Sequence, residues 1–309
     1  GRHQVFLEPE DEANSTIYCN GISTSVPKDV QDKMMRLLPG TENARIVHYA
    51  YAIEYDYSPP VQLKVSLESR KVEGLFMAGQ VNGTSGYEEA GAQGLIAGIN
   101  AIRKLQGKDV LVLRRDQAYI GVMIDDLMTR GIDEPYRMFT SRAEYRLLLR
   151  SDNADRRLTG IGREMGVVDD ERWERFSKKV KDIEELSELL KSRRVKGVSL
   201  WDMLKRDGED VFGGLEEESK YSDEVINAVT IDSRYEGYIA RQEKAVEKFK
   251  KLENIKIPEG IDYHSISHLR AEAKEKFSKF RPWTLAQAGR ISGITPADIT
   301  VLQINLKNK

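Results

Sequence analysis

One glycine-rich stretch, residues 74–98, constrains the fold of this chain more than any other feature. It reads GLFMAGQVNGTSGYEEAGAQGLIAG, which predicts an apolar strand, a polar loop and a helix of small residues. Gly79, Gly83 and Gly86 let backbone amides approach a planar ring closely, and a helix that begins near Glu88 directs its positive end at the loop. The order predicts a cofactor loop. From spacing alone, a turn with glycines for packing, or another kind of nucleotide site, explains it equally well.

The sequence does not contain a glycine-rich loop that would bind the pyrophosphate of a dinucleotide. Dinucleotide sites need Gly-x-Gly-x-x-Gly directly after a strand. The nearest match, residues 160–165, puts Met165 at the third glycine position and follows Arg-Arg-Leu-Thr instead of a strand. We therefore reject it. Because the chain also begins without methionine, in what is predicted as a strand, we expect an upstream part to be missing.

Composition excludes several classes of protein. The 309 residues predict about two domains, and 40% hydrophobic with 32% charged residues is typical of a globular protein. Cys19 is the only cysteine, which excludes an intrachain disulfide and a multi-cysteine zinc site. No apolar run reaches the ~20 residues that cross a bilayer, so we expect a cytoplasmic protein without a membrane anchor. A net charge of −2 means that any nucleic acid must bind a local basic patch.

The pattern along the chain predicts an α/β part followed by an all-α part. Residues 1–113 indicate strands at 2–7, 45–57 and 74–78. Residues 114–220 and 221–309 indicate two helical regions, and the second ends in a unit whose apolar residues predict a core. Glycines between 192 and 221 predict a loose connection there; they are Gly197, Gly208, Gly213 and Gly214.

Four helices are predicted from periodicity and caps. They span residues 117–129, an apolar stripe from Trp173 to Leu190 that Asp169 or Asp170 caps, residues 235–252 and residues 297–307. In the third, Ile239, Val246 and Phe249 share one side. The last begins with a capping box, in which Thr295 and Asp298 bond to each other's backbone amides. The core expected near the C-terminus comprises Leu269, Phe277, Phe280, Trp283, Ile291, Ile294, Ile299 and Leu302.

A basic patch lies between residues 137 and 163. This stretch contains seven arginines, no lysine and three acidic residues, a local net charge of +4. Arg142, Arg146 and Arg150 recur every four residues, so on a helix they would form one ridge, with Tyr145 beside them for stacking on a base. Arginine forks suit phosphate oxygens, which predicts RNA contact. The alternative is a solvated or internally paired face.

Several longer strings resemble one known family. They are QVFLEP at residues 4–9, NGISTS at 20–25, YAIEYD at 51–56, EPYRMFTSRAEYRLLL at 134–149, DNAD at 152–155, YEGYIARQ at 235–242 and QAGRISGITP at 287–296. Together with the glycine loop, they make the whole chain similar to the GidA (MnmG) tRNA uridine modification enzymes. The chain resembles the C-terminal portion of such an enzyme.

The resemblance implies a fold and a reaction. Residues 1–113 would be the C-terminal part of a two-dinucleotide-binding-type FAD domain, 114–220 a helical tRNA-contacting region, and 221–309 a helical domain for the GTPase partner MnmE. The full enzyme would be a homodimer that uses NADH-reduced FAD. With MnmE, it would add a carboxymethylaminomethyl or aminomethyl group, built from methylenetetrahydrofolate, at C5 of the wobble uridine of certain tRNAs. The alternative is that the isolated fragment, inactive alone, is a non-catalytic tRNA- and protein-binding module.

The resemblance also assigns residues. Gln80 is expected against the FAD; the other cofactor-binding candidates are Gly79, Asn82, Gly83, Thr84, Gly86, Tyr87 and Glu88. The tRNA-binding candidates are Arg137, Arg142, Tyr145, Arg146, Arg150, Arg156 and Arg157. Catalytic residues are not assigned, because the family's candidate cysteines lie upstream, and Cys19 is expected to be structural. The histidines are scattered, so no metal site is predicted.

Overall fold

The computed structural model describes residues 3–131, 134–206, 211–212 and 220–307, and this part is mainly helical. The chain divides into two compact units, Gly1–Asp56 and Tyr57–Lys309. In the part that the structure describes, no helix combines the length and the apolar character that crossing a membrane requires.

The first unit contains a hairpin and a helix. Strands β1 (Phe6–Pro9) and β2 (Ile17–Asn20) pair antiparallel, and helix α1 spans Lys28–Arg36. The strand predicted at residues 45–57 does not form. The buried amide of Gln31 bonds both to the N–H of Ala50, at 2.9 Å, and to its carbonyl oxygen, at 2.9 Å. A β-prone segment needs a neighbouring strand, and here a side chain takes the backbone groups instead.

In the second unit, helices α2 (Tyr87–Leu105) and α3 (Tyr119–Thr129) pack against each other. The predicted strand at 74–78 is reduced to one isolated bridge, between Glu68 and Phe76. An α/β fold was expected for residues 1–113. Among the described residues of this part, the structure has one hairpin, isolated bridges and helices, so the expectation is confirmed only in part. The shared core consists of Leu63, Leu67, Ile96, Ala97, Met123, Ile124, Leu127, Met128 and Tyr136.

The arginine-rich segment is not helical up to residue 153, and the predicted ridge of arginines is wrong. Thr140–Arg142 is a single 3-10 turn, Ala143 is extended, and turns follow. Two apolar side chains, Ala143 and Leu149, are buried against Val122 of α3. Residues six apart do not lie on the same face of a helix, so the backbone must bend for both to be buried. Burial of these two side chains therefore outweighs the helix that the arginine spacing favours.

The middle of the chain contains two long helices. After α4 (Ala154–Glu164), which contains most of the rejected phosphate motif, α5 spans Asp170–Ser192. Its cap is confirmed, because the Asp169 side chain accepts a 2.8 Å bond from the Arg172 amide. Helix α7 spans Asp223–Glu253 and begins twelve residues before the predicted start.

The region between these helices is packed where the structure describes it. Strands β3 (Arg194–Val195) and β4 (Val198–Ser199) form a hairpin, and helix α6 (Leu200–Met203) follows. Trp201 and its neighbours are buried against α5 and α7, so the expected loose connection is wrong for these residues. Gly208, Gly213 and Gly214 lie outside the described residues, as does the side chain of Phe249.

The C-terminal helices follow the sequence closely. They are α8 (Ala271–Phe280), α9 (Leu285–Arg290) and α10 (Pro296–Lys307). The capping box is confirmed: the Thr295 amide donates to Asp298 Oδ2 at 2.8 Å, and the Asp298 amide lies 3.4 Å from Thr295 Oγ1. The predicted core residues Leu269, Phe277, Ile291 and Leu302 are buried, and Phe280, Ile294 and Ile299 pack against them.

Candidate functional site

The glycine loop is a tight turn fixed by one side chain of α2. Gly79 and Gly83 have φ angles of 80° and 86°, which only glycine adopts readily, and they flank a 3-10 turn, Gln80–Asn82. The carboxamide oxygen of Gln93 accepts bonds from the Gly79 amide, at 2.7 Å, and from the Thr84 hydroxyl, at 2.8 Å. The loop is thereby held in place before any ligand binds.

Buried polar atoms at this loop lack partners within the described residues. Asn82 has no exposed surface, yet neither atom of its carboxamide is hydrogen bonded, and Gln93 Nε2 is likewise unpaired. Leaving a buried polar group unpaired costs about 1–3 kcal/mol, so such groups point to a missing polar partner. Beside them, α2 starts after Gly86, which has no side chain to cap the helix, and the buried carboxylate of Glu89 lies at this helix end.

The expected cofactor residues differ in accessibility. Asn82, Gly83, Thr84 and Gly86 are buried, and Gly79 and Gln80 are half-buried. Tyr87 and Glu88 are exposed, Tyr87 by 94%, on the first turn of α2. The structure therefore brings the first six together and turns the last two toward solvent.

Glu89, which sequence reasoning missed, joins the glycine loop to the arginine-rich segment. Its buried carboxylate accepts bonds from the Met138 amide, at 2.8 Å, and from Arg137 Nε, at 3.3 Å. Burial favours the protonated acid, but these bonds outweigh it and hold the pKa of Glu89 below its ordinary value. A side chain at Gly86 would collide with this carboxylate, since its Cβ would lie 1.8 Å from Glu89 Oε2. The signal in the sequence was a carboxylate in the first turn of the predicted helix, three residues after Gly86.

A second connection runs through the backbone. The Tyr136 amide donates to the Gly83 carbonyl at 2.8 Å, and Thr84 and Tyr136 form a parallel bridge. Two stretches that the sequence presents as separate motifs are therefore one site, which we call the loop site, comprising residues 79–89 and 136–142.

The first arginines of the segment face solvent or lie at the loop site. Arg137 is 57% exposed, and only its Nε is bonded among the described residues. Arg146 is exposed and has no hydrogen bond or salt bridge in the part of the chain described. Arg142 is half-buried: its guanidinium lies 4.5 Å from the centre of the Tyr136 ring, and its Nε donates to the Arg137 carbonyl at 2.8 Å.

The remaining arginines are paired inside the protein. Arg150 bonds Asp152 at 3.0 Å and Asp232 at 3.3 Å, and Arg156 bonds the same Asp232 at 3.0 Å. Arg157 donates to Asn153 at 2.9 Å. These three line a cavity of about 910 Å³ beside α4, α5 and α7, which also contains Lys191, Lys244 and Lys250. Tyr145 is half-buried and lines a second cavity, of about 570 Å³, beside α7, α9 and α10. Neither cavity includes the loop site.

A buried ionic network lies next to the loop site, and sequence reasoning missed it. The Arg115 guanidinium bonds Asp125 at 3.1 Å and Asp126 at 2.7 Å. Arg290 of α9 bonds Asp125 through both arms, at 2.7 Å each, and Tyr136 donates its hydroxyl to Asp126 at 2.9 Å. Burial disfavours the charged form of Arg115, but the surrounding carboxylates outweigh this effect and raise the pKa of Arg115. Two adjacent aspartates in an otherwise apolar helix were the available signal.

Three family models match the chain. "Glucose inhibited division protein A" matches residues 1–109. "tRNA modifying enzyme MnmG/GidA C-terminal helical domain" matches residues 170–243, and the "C-terminal helical bundle" of the same enzymes matches residues 245–309.

Individual relatives agree with these models. A protein of Listeria welshimeri named tRNA uridine 5-carboxymethylaminomethyl modification enzyme MnmG is 50% identical, over 99% of this chain and 52% of its own length. The relative of that name from Caldicellulosiruptor saccharolyticus is 51% identical, with the same coverage. The chain spans about half the length of the curated relatives it matches.

Solved structures match as well. Two crystal forms of Aquifex aeolicus GidA superpose on 98% of this chain. Form II gives a TM-score of 0.83 at 48% identity and form I gives 0.81 at 49%, covering 52% and 51% of those chains.

Proposed function

Since the chain belongs to the GidA/MnmG family, we propose that it forms the C-terminal part of an FAD-dependent enzyme that modifies the wobble uridine of certain tRNAs. The observation that carries this proposal is the 50% identity, over 99% of the chain, to relatives named for carboxymethylaminomethyl modification of tRNA uridine. The full reaction would use NADH as reductant and MnmE as partner, in a homodimer.

The loop site would hold the ring system of FAD. The unpaired amide groups of Asn82 and Gln93 fit the donors and acceptors on the edge of a flavin ring. Gln80 and the backbone at Gly79 and Gly83 would orient the ring from the loop. When bound, FAD supplies reversible redox chemistry that the side chains lack.

A pair of buried asparagines tests the flavin proposal. Asn82→Leu removes amide atoms that bond nothing among the described residues, so it should leave the free energy of unfolding unchanged or higher. Quenching of FAD fluorescence by the chain should disappear. Asn100 is equally buried, but it bonds Ser66 and Leu111; Asn100→Leu should therefore lower the free energy of unfolding by about 1–3 kcal/mol. Unchanged quenching in Asn82→Leu would contradict the assignment.

The non-catalytic module remains the second candidate for the isolated chain. It is favoured by the absence of a Gly-x-Gly-x-x-Gly loop after a strand in the sequence of this chain. A half-site should hold FAD weakly. Stoichiometric FAD in the purified chain, read from its absorbance, would contradict this candidate.

Arg137 and Arg146 would make the main phosphate contacts of the tRNA, because both are exposed and have free N–H groups among the described residues. Arg142, Tyr145, Arg150, Arg156 and Arg157 would shape the surface around them. Arg150 and Arg156 would contribute less to phosphate binding, since each new contact costs an existing ion pair.

MnmE would bind the C-terminal helices. Ile304 is the large apolar side chain that α10 exposes among the described residues, by 54%, and it is our candidate for a contact with MnmE. Ile304→Glu should abolish co-elution with MnmE and leave the unfolding temperature unchanged. Retained co-elution would remove α10 from the proposed interface.

A further inference from the structure

Phe139 is a large aromatic side chain that the fold leaves in solvent at the loop site. The ring is 59% exposed, although Met138 beside it bonds the buried Glu89 at the start of α2. Thr140 and Ser141, which follow, are exposed and polar, so apolar side chains do not continue the exposed surface along the chain after Phe139.

The backbone under the ring is held firmly. The Arg142 amide donates to the Phe139 carbonyl at 2.9 Å and closes a 3-10 turn. The Arg142 guanidinium lies 5.9 Å from the Phe139 ring centre and 4.5 Å from that of Tyr136, which is itself bonded to Gly83. A ring supported in this way loses little conformational entropy when a ligand stacks on it.

An exposed cation lies two residues before Phe139 in the chain. Arg137 is exposed, and its Nε is committed to Glu89, while its terminal nitrogens have no partner among the described residues. An exposed aromatic face and a guanidinium two residues apart in the chain suit one nucleotide: the ring would stack on the base, and the guanidinium would bond the phosphate.

We propose that Phe139 is the stacking platform for an unpaired base of the tRNA anticodon loop, and that Arg137 binds the adjoining phosphate. The inference rests on the proposed function, which supplies tRNA as the substrate, and it adds the residue that recognises an unstacked base next to the flavin ring. Arg142 acts as a positioning residue beneath Phe139.

The test is binding of a fluorescently labelled anticodon stem–loop RNA with uridine at the wobble position, followed by anisotropy. Phe139→Ala should weaken binding about 5- to 150-fold, the range for one lost base–aromatic stack. Phe139→Trp should restore or exceed wild-type affinity, because tryptophan offers a larger face. Thermal unfolding should be unchanged in both variants, since the ring is exposed.

Tyr238 offers a matched control. It is 58% exposed and also has an arginine over its ring, Arg241 at 5.8 Å, but it lies on α7 and not at the loop site. Tyr238→Ala should bind the RNA like the wild type. Annealing a complementary oligonucleotide to the loop should remove the difference between the wild type and Phe139→Ala, because paired bases are not free to stack on the platform.

The outcomes separate the two levels of the proposal. If the wild-type chain does not bind the stem–loop, the tRNA function fails and the platform fails with it. If the wild type binds and Phe139→Ala binds equally well, or if Phe139→Trp is as weak as Phe139→Ala, the platform is overturned while the tRNA function stands. An equal loss in Tyr238→Ala would overturn its location at the loop site.

Discussion

Two groups of arginines in one short segment behave differently. In the sequence, residues 137–163 form a single basic patch, but Arg137 and Arg146 face solvent whereas Arg150 and Arg156 bond Asp232, more than seventy residues away. A count of charges therefore overstates the charge available to RNA. The charge available to RNA depends on whether the tertiary fold brings a carboxylate to each guanidinium. The local sequence does not contain that information.

Elsewhere, paired arginines join distant elements. Arg115 and Arg290 both bond Asp125, so that α3 and α9 are tied together inside the protein, and Arg270 bonds Asp298 at the start of α10. We call these, with Arg150 and Arg156, the structural arginines. The comparison predicts that substituting structural arginines or their partners changes stability, while substituting the exposed ones changes RNA binding.

The largest effect is expected at Arg115. Arg115→Met leaves the buried carboxylates of Asp125 and Asp126 short of a cation, which should lower the free energy of unfolding by about 3–5 kcal/mol. The measurement is urea unfolding at neutral pH. The matched control is Arg146→Met, an exposed site, where the change should stay within about 0.5 kcal/mol. Equal losses at the two sites would break the comparison.

An intermediate effect is expected at Asp232. Asp232→Ala deprives Arg156 of its carboxylate and leaves Arg150 with Asp152 alone, which should cost about 1–3 kcal/mol of stability. The same change frees positive charge, so stem–loop RNA should bind more tightly and with a steeper salt dependence. A variant that is destabilised but binds RNA with the wild-type salt slope would show that the freed arginines lie away from the RNA.

A smaller effect, with a pH signature, is expected at Asp298. The bonds from Arg270 and from Thr295 outweigh burial and hold the pKa of Asp298 well below its ordinary value of 3.8. A lowered folded-state pKa gives stability that is present above pH ~4 and is lost as the pH falls further. Asp298→Asn should cost about 1–2 kcal/mol at pH 7 and flatten this acid dependence. Equal loss of stability on acidification in both proteins would contradict the assignment.

Local signals predicted the starts of α5 and α10 correctly. The Asp169 cap, the apolar stripe that follows it and the capping box at Thr295 each act within a few residues, so the sequence contains the whole cause. Of the cofactor candidates, Asn82 was chosen from its place in a motif, and its burial without partners adds a physical reason.

The other predictions were wrong because of contacts between residues that are distant in the sequence. The segment 45–57 has strand-forming residues, but Gln31 bonds its backbone at Ala50. The spacing of Arg142, Arg146 and Arg150 suggests a helix, but burial of Ala143 and Leu149 bends the chain. In each case, tertiary contacts outweigh the local preference for a strand or a helix.

The most direct test of the two groups of arginines is the salt dependence of stem–loop RNA binding. For each variant, the logarithm of the binding constant is plotted against the logarithm of the salt concentration. The double variant Arg137→Gln with Arg146→Gln should reduce the magnitude of the slope by about 1.4–1.8, or ~0.7–0.9 for each lost phosphate contact. Arg150→Gln, verified as folded by its thermal unfolding, should keep the wild-type slope. An unchanged slope in the double variant, or an equal reduction in Arg150→Gln, would contradict the division between exposed and structural arginines.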